Sequence, residues 1–431
     1  MKNKTSQSLC IYLNQIRLGT LQIAKSQNLK FSYHKEWLSR PQAFPISRSL
    51  PLRETPFEDP VVFNYFENLL PDASSVRQQL AAKLQAKSDG VFDLLSVLGR
   101  DCVGALQFFH PDQEPPKSLP AKGTKISRKE IEKYLLELKT FPLLGPNEQD
   151  FRISIAGMQE KTAFLKIQKQ WFIPTGSTAT THIFKPQLTD HSMGFHFPYL
   201  VENEWLCSEI LRSFEIDTAR GQIATFGNIP TLIIERFDRI WVQKKLIRIP
   251  QEDLCQALGF PSYKKYENDG GPGVLQIMNL LSESRFPHED RSQFMKAQVL
   301  FFLLTATDGH AKNFSLRWSF EGFSLAPLYD VISVQPLVDQ GHLPIEKVKM
   351  SMTIGKKRSY KVHQIFRRHF LQTAELCRFE VDKLNEMIDE VLLQLPLVIQ
   401  KVTSNLPKNF PQPLADSIFQ GMKKRAQQLE L

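Results

Sequence analysis

The chain has 431 residues, 42% hydrophobic and 23% charged, with a formal net charge of +9. That balance suits a globular protein with a large core divided into two or three domains, and its basic excess permits anionic partners without demanding them. Cys10, Cys102, Cys207, Cys255 and Cys377 are odd in number and dispersed, with no CxxC pair, which argues against a disulfide framework or a zinc site.

In chain order, residues 8–33 alternate as short strands around a turn at Asn14-Gln15. The segments Phe66 to Asp72 and Ser74 to Leu84 carry helical spacing; Pro71 ends the first, and Asp72 or Ser74 is placed to cap the second. Residues 110–124 are rich in Pro and polar side chains and read as a linker or surface loop. From 151 the strand texture returns: residues 162–174 predict two strands around Gln168-Lys169-Gln170, and TTHIFKP predicts a strand ending at Lys185, held extended by the following Pro. Trp205, Leu206, Ile210, Leu211 and Phe214 share one face of a helix over 202–214, and residues 229–239 form a strand with a charged exit. Beyond about 250 the pattern is mostly helical. Two lobes with a cleft between them are the natural expectation. No stretch reaches the ~18 apolar residues of a membrane span. The N-terminus lacks an uninterrupted apolar signal region, so no membrane association and a cytoplasmic location are expected.

The segment LLTATDGHAKNFSLRW (303–318) ends an apolar run with Asp308, His310, Lys312 and Asn313 crowded together. Polar groups set against a core cost free energy unless they are paired or functional. Asp308-x4-Asn313 followed by Asp330 repeats the spacing of a protein-kinase catalytic loop and its metal-binding aspartate. In that arrangement the first Asp faces the substrate hydroxyl, and an amide oxygen and a second carboxylate supply the hard ligands that Mg²⁺ prefers. Upstream, Lys185 at a strand end is a candidate partner for nucleotide phosphates, with Glu202 or Glu204 to orient it. The turn SIAGMQEK (154–161) lets backbone N–H groups approach phosphates through Ala156 and Gly157. Each piece alone also reads blandly, as a surface Lys, a turn or a helix cap; their order points to a phosphotransferase.

Taken together, VVFNYFENLLPD, FDLLSVLGRDCVGAL, DFRISIAGMQEKTAFL, TTHIFKP, ERFDR, PQEDLCQALG, KYENDGGPG, TDGHAKNFS and PLYDVIS occur in one order over most of the chain. The sequence thereby resembles the HipA-type serine/threonine kinases, toxins of bacterial toxin–antitoxin systems, in a full-length single-chain form. The resemblance implies an α+β, two-lobed protein-kinase-like fold with a β-rich N-terminal lobe, an extra N-terminal subdomain and an all-helical C-terminal lobe. Expected boundaries are 1–148 for the subdomain, 149–250 for the nucleotide-binding lobe and 251–431 for the helical lobe.

It implies that Asp308 is catalytic, that Asn313 and Asp330 hold Mg²⁺ and that Lys185 meets the phosphates of ATP. Ala156, Gly157, Met158, Gln159, Glu160 and Lys161 would cover those phosphates. Glu235, Arg236 and Phe237 would form the hinge that meets adenine, with His310 and Tyr329 near the nucleotide. Ser154 corresponds to the family's autophosphorylation site, where a phosphate of about −1.5 to −2 charges would repel ATP phosphates and switch the kinase off. The family's substrate is typically glutamyl-tRNA synthetase. Its partner is a small helix-turn-helix antitoxin that represses on operator DNA, linking the family to persistence. Arg378 matches a DNA-contacting position, but Glu375 stands where the family has Lys, which sets direct DNA contact in doubt. A DNA-associated corepressor, a kinase of another protein and a small-molecule kinase are the competing readings, the last opposed by KYENDGGPG.

Overall fold

The computed structural model describes residues 7–24, 28–113, 115, 121–138, 160–187 and 199–431. The chain forms two compact units, neither contiguous in sequence. The first is Met1–Leu188, Ala224–Tyr263 and Leu316–Phe323; the second is Thr189–Ile223, Lys264–Ser315 and Ser324–Leu431.

The first unit begins with strands β1 (Ser8–Leu13), β2 (Ile16–Ile23), β3 (Leu29–Tyr33), β4 (Phe57–Glu58) and β5 (Leu106–Phe109). They form an antiparallel sheet of order β4–β3–β2–β1–β5. The predicted turn is present: Asn14 and Gln15 both take positive φ, 45° and 76°, the twist a tight hairpin needs. One face buries Leu9, Ile11 and Phe31 against Tyr65 and Phe66. Phe31 lies at the centre, its ring 4.8 Å from Tyr33 and 5.8 Å from Phe66. Full burial of each such side chain contributes ~1.5–3 kcal/mol. The helix expected from Phe66 runs instead over Val61–Glu67, and the next, Ser74–Lys83, starts after Ala73 with no side-chain cap. Apolar Val61, Val62 and Tyr65 extend the first helix upstream of Phe66, where the core lies, so its periodicity was misplaced toward Pro71.

The second sheet contains β6 (Gly123–Ile126), β7 (Thr162–Ile167), β8 (Gln170–Pro174), β9 (His182–Pro186), β10 (Gly221–Phe226) and β11 (Ile229–Glu235). Their order is β10–β11–β9–β7–β8–β6. The expected pair of strands around Gln168 is β7 and β8, with Gln168 at a φ of 56° in the turn. β6 begins at Gly123, so the polar segment ends earlier than its composition suggested.

A buried ionic cluster ties the exit of β11 to residues 101–104. Asp101 accepts from Arg239 at 2.9 Å and from the Thr180 backbone and hydroxyl at 2.9 and 2.7 Å; Asp238 accepts from Arg236 and Arg239 at 2.7 and 2.9 Å. Arg236 and Arg239 also donate to the Cys102 carbonyl, and Arg248 to that of Ser177. Burial alone would raise the Asp101 carboxyl, but Arg239, Arg236 and Arg248 outweigh it and hold the group well below the usual carboxylate range. Asn14 adds a reciprocal pair with the Arg248 backbone, at 2.7 and 3.0 Å.

In this unit Glu252 is fully buried and accepts from the Arg48 N–H at 3.1 Å and the Trp318 indole at 2.7 Å, while its Oε2 has no hydrogen-bond partner among the described residues. Burial pushes its carboxyl from 4.5 up to about 8, against hydrogen bonds from Ser47, Trp318 and Arg48. The folded state therefore keeps a proton that the unfolded chain releases near 4.5. This contribution to stability is full below that pH and is lost as pH rises through about 8. Glu252→Gln is expected to flatten the fall in melting temperature between about pH 5 and about pH 9 and to leave the variant the more stable protein at the alkaline end. Parallel thermal melts of the two proteins across that range check it.

The second unit is built on the helix Pro287–Leu304, whose residues Val299 to Leu304 are all buried. Helices Val274–Leu281, Val381–Ser404 and Gln412–Glu430 pack against it. The helix predicted over 202–214 runs over Leu200–Ser213 and buries Leu206, Ile210 and Leu211 as expected. It also buries Asn203 and Glu204, which an apolar count overlooks. The stretch from 251 is not purely helical. It holds a hairpin of Lys349–Ile354 and Ser359–Lys361, and short strands at Gln251–Asp253, Ser315–Ser319 and Gly322–Leu325. These strands are too short for period-two patterning to stand out between long helices. Among the described residues no helix is long and apolar enough to cross a membrane.

Candidate functional site

The helix Pro287–Leu304 ends where Thr305 turns left-handed, with a φ of 55°. Three groups fix this end: the Arg425 guanidinium donates to the Leu303 carbonyl at 2.7 Å, the Ser333 hydroxyl to that of Leu304 at 2.5 Å, and the Val334 N–H to that of Thr305 at 3.1 Å. Asn203 in turn grips Ser333 through both backbone groups, each at 2.9 Å. Burial lowers Arg425 to about 9. The polar residues that follow therefore leave a rigid terminus.

The loop folds on itself. The His310 N–H donates to the Asp308 carbonyl at 2.8 Å, and the Asn313 N–H to that of His310 at 2.9 Å. Gly309 is required by close approach, because a Cβ there would lie 2.5 Å from the Phe301 ring. Asp308 projects outward with its side chain 56% exposed, while His310 is buried beside it, its Nε2 3.9 Å from Oδ1 of Asp308. Burial is the main cause that lowers His310 to about 4, so its imidazole is neutral.

The Asn313 amide nitrogen donates to the carbonyls of Asp308, at 2.6 Å, and Asp330, at 3.4 Å. Its Nδ2 is thus committed, which leaves Oδ1 as the amide atom for a ligand. Asp330 adopts a φ of 62°, unusual for a non-glycine residue and a mark of strain at functional positions. Tyr329 donates to the Lys312 carbonyl at 2.8 Å, locking the second aspartate's segment to the loop. Lys312 itself is buried rather than a surface charge. No group of three or more His, Cys, Asp or Glu suited to a metal occurs among the described residues. An amide oxygen and one carboxylate nevertheless fit Mg²⁺, which keeps waters and takes substrate phosphates as its remaining ligands.

In the first unit, Lys185 lies on β9 opposite Leu232 of β11 and is buried, not solvated. Lys161 is likewise buried and Glu160 half-buried. Glu235 is exposed at the end of β11, and the Arg236 N–H donates to the Thr181 carbonyl at 2.9 Å. The Arg236 side chain is committed to the ionic cluster, so it is not available to a ligand. Ser154, Ala156, Gly157, Met158 and Gln159 lie outside the described residues. Glu202 and Glu204 belong to the second unit; burial raises the Glu202 carboxyl.

Arg378 is exposed and takes a φ of 52° at the end of the helix Arg367–Leu376. Glu375 pairs with Lys356 at 2.8 Å, Arg358 with Glu267 at 2.7 Å, and Arg367 with Asp389. Lys356, Arg358 and Arg367 are thus engaged within the chain.

Sequence reasoning missed Tyr266, whose hydroxyl donates to Asp308 Oδ1 at 2.5 Å, and Arg425 behind the loop. Tyr266 lies in the KYENDGGPG segment singled out earlier. Nothing local marks Arg425, which stands 122 positions from its partner.

Comparison with known proteins follows the same lines. The HipA N-terminal domain family matches residues 9–109 and the HipA-like C-terminal domain family residues 153–398. A putative kinase of Sinorhizobium fredii, Y4mE, is 32% identical over 382 residues, covering 88% of this chain and 84% of that protein. The serine/threonine-protein kinase toxin HipA of Shewanella oneidensis is 28% identical over 357 residues, covering 79% and 78%. In fold, the HipA of the Shewanella oneidensis HipA, HipB and operator DNA complex is similar with a TM-score of 0.82 at 21% identity, over 98% of this chain and 97% of that one. The chain belongs to the HipA family of serine/threonine-protein kinase toxins.

Proposed function

We propose that the protein is an ATP- and Mg²⁺-dependent kinase that arrests growth as the toxin of a toxin–antitoxin pair. It phosphorylates a serine of glutamyl-tRNA synthetase in the cytoplasm and inactivates itself by phosphorylating Ser154. The observation that carries this reading is the Asp308 carboxylate: exposed on a loop, five residues before an asparagine whose amide nitrogen is committed to two backbone carbonyls.

Asp308 takes the proton of the substrate hydroxyl as that oxygen bonds to the γ-phosphorus. The bond from the γ-phosphorus to the β-phosphate oxygen breaks, and ADP leaves. Asn313 and Asp330 would hold Mg²⁺, which would supply neutralisation of the phosphate charge. On this reading Lys185 is the residue for the phosphates, and the backbone of Glu235 to Phe237 is the group for adenine. The neutral imidazole of His310 and the ring of Tyr329 lie beside the nucleotide. Asp330→Asn is expected to raise the Mg²⁺ concentration for half-maximal rate by ~10-fold or more at fixed ATP. A Mg²⁺ titration of both proteins measures it.

The partner is a small helix-turn-helix antitoxin, and through it operator DNA. The Shewanella oneidensis HipA is seen with HipB and operator DNA, which supports this assembly. The exposed Arg378 is the candidate for any direct phosphate contact. Phosphoproteomics after a short induction pulse tests the substrate: a phosphoserine on glutamyl-tRNA synthetase is expected, and an unmodified synthetase alongside another heavily labelled protein would replace it.

A further inference from the structure

We propose that Tyr266 is a positioning residue for phosphotransfer: its hydroxyl holds Oδ1 of Asp308 so that Oδ2 is presented to the incoming substrate hydroxyl. This rests on the kinase reading above. Asp308 is exposed and on a loop, where a carboxylate samples several rotamers. The Tyr266 hydroxyl reaches Oδ1 at 2.5 Å, within the short range of O–H···O⁻ bonds to a charged acceptor. Among the described residues Oδ2 has no hydrogen-bond partner. One oxygen is thus a handle and the other is available for chemistry.

The tyrosine is itself held firmly. Its ring stands edge-on to His310, with centroids 4.9 Å apart at 83°. Its carbonyl accepts from the N–H groups of Asp269 and Gly271 at 3.1 and 2.9 Å. The next residue, Glu267, anchors the segment: its carboxylate accepts from the Thr353 N–H at 2.6 Å, the Thr353 hydroxyl at 2.8 Å and Arg358 at 2.7 Å. Gly273 leaves room for that carboxylate, since a Cβ there would lie 2.4 Å from it. The Lys265 carbonyl accepts from the Ala311 N–H at 3.3 Å, joining the segment to the catalytic loop on its other side. The KYENDGGPG segment therefore acts as a rigid arm whose tip is a phenol on Asp308.

Tyr266→Phe removes the hydroxyl and keeps the ring against His310. Single-turnover phosphate transfer from Mg·[γ-³²P]ATP, read with ATP concentration varied, is expected to show a ~10- to 100-fold lower maximal rate. The half-saturating ATP concentration and the melting temperature should stay those of the wild type, which a merely structural loss would not leave in place. A maximal rate within about twofold of wild type, or a faster one, overturns the inference while leaving the kinase reading standing. So does a loss confined to ATP affinity. A wild type that transfers no phosphate overturns the kinase reading, and the role of Tyr266 with it.

Discussion

Asp308→Asn is expected to lower the rate of phosphate transfer on the order of 10³-fold without changing the melting temperature. The side chain is more than half exposed, so its replacement neither opens a cavity nor strands a buried partner. Asparagine keeps the shape and an oxygen able to accept from Tyr266, and it loses only the ability to take a proton. Rapid-quench measurement at saturating Mg·ATP separates this from a binding defect. A fall of less than about tenfold would leave Asp308 an orienting group rather than the base.

Asp101→Ala acts on stability instead. The carboxylate is fully buried and neutralises Arg236, Arg239 and Arg248 together with Asp238. Removing it leaves three guanidiniums facing one carboxylate out of contact with water. Breaking a buried ion pair from one side costs about 3–5 kcal/mol, far above the ~0–1 kcal/mol of an exposed pair. Urea unfolding of the variant should show that loss, and a change below about 1 kcal/mol would mean that water enters the cluster. The prediction bears on function as well, because Arg236 belongs to the segment proposed to meet adenine.

The legible parts of this molecule are those written in short-range spacing. Strands β1 to β3, the Asn14-Gln15 turn, β9 and the helix Leu200–Ser213 follow from alternation, turn chemistry and apolar periodicity. The nearness of Asn313 to Asp308 follows from the short loop that carries both, and its hydrogen bond to the Asp330 carbonyl brings the later segment to it. What escaped depends on distance along the chain. The Asp101 cluster joins residues 135 and 138 positions apart, and Tyr266 reaches Asp308 across 42. The burial of Lys185 and Lys312 also escaped, because a strand end and a polar loop are usually solvated and no local window contains the neighbours that cover them. Arg236 was assigned by its place in ERFDR to a hinge. That expectation concerned its backbone; what the sequence did not indicate is that its side chain belongs to the buried ionic cluster.

The most direct test of the central claim is the intact mass of the purified protein after incubation with Mg·ATP, alongside Asp308→Asn treated identically. One added phosphate on the wild type, mapped to Ser154 and missing from the variant, is the predicted result. An unphosphorylated wild type, or equal phosphorylation of both proteins, would contradict the assignment of Asp308 as the centre of a self-limiting kinase.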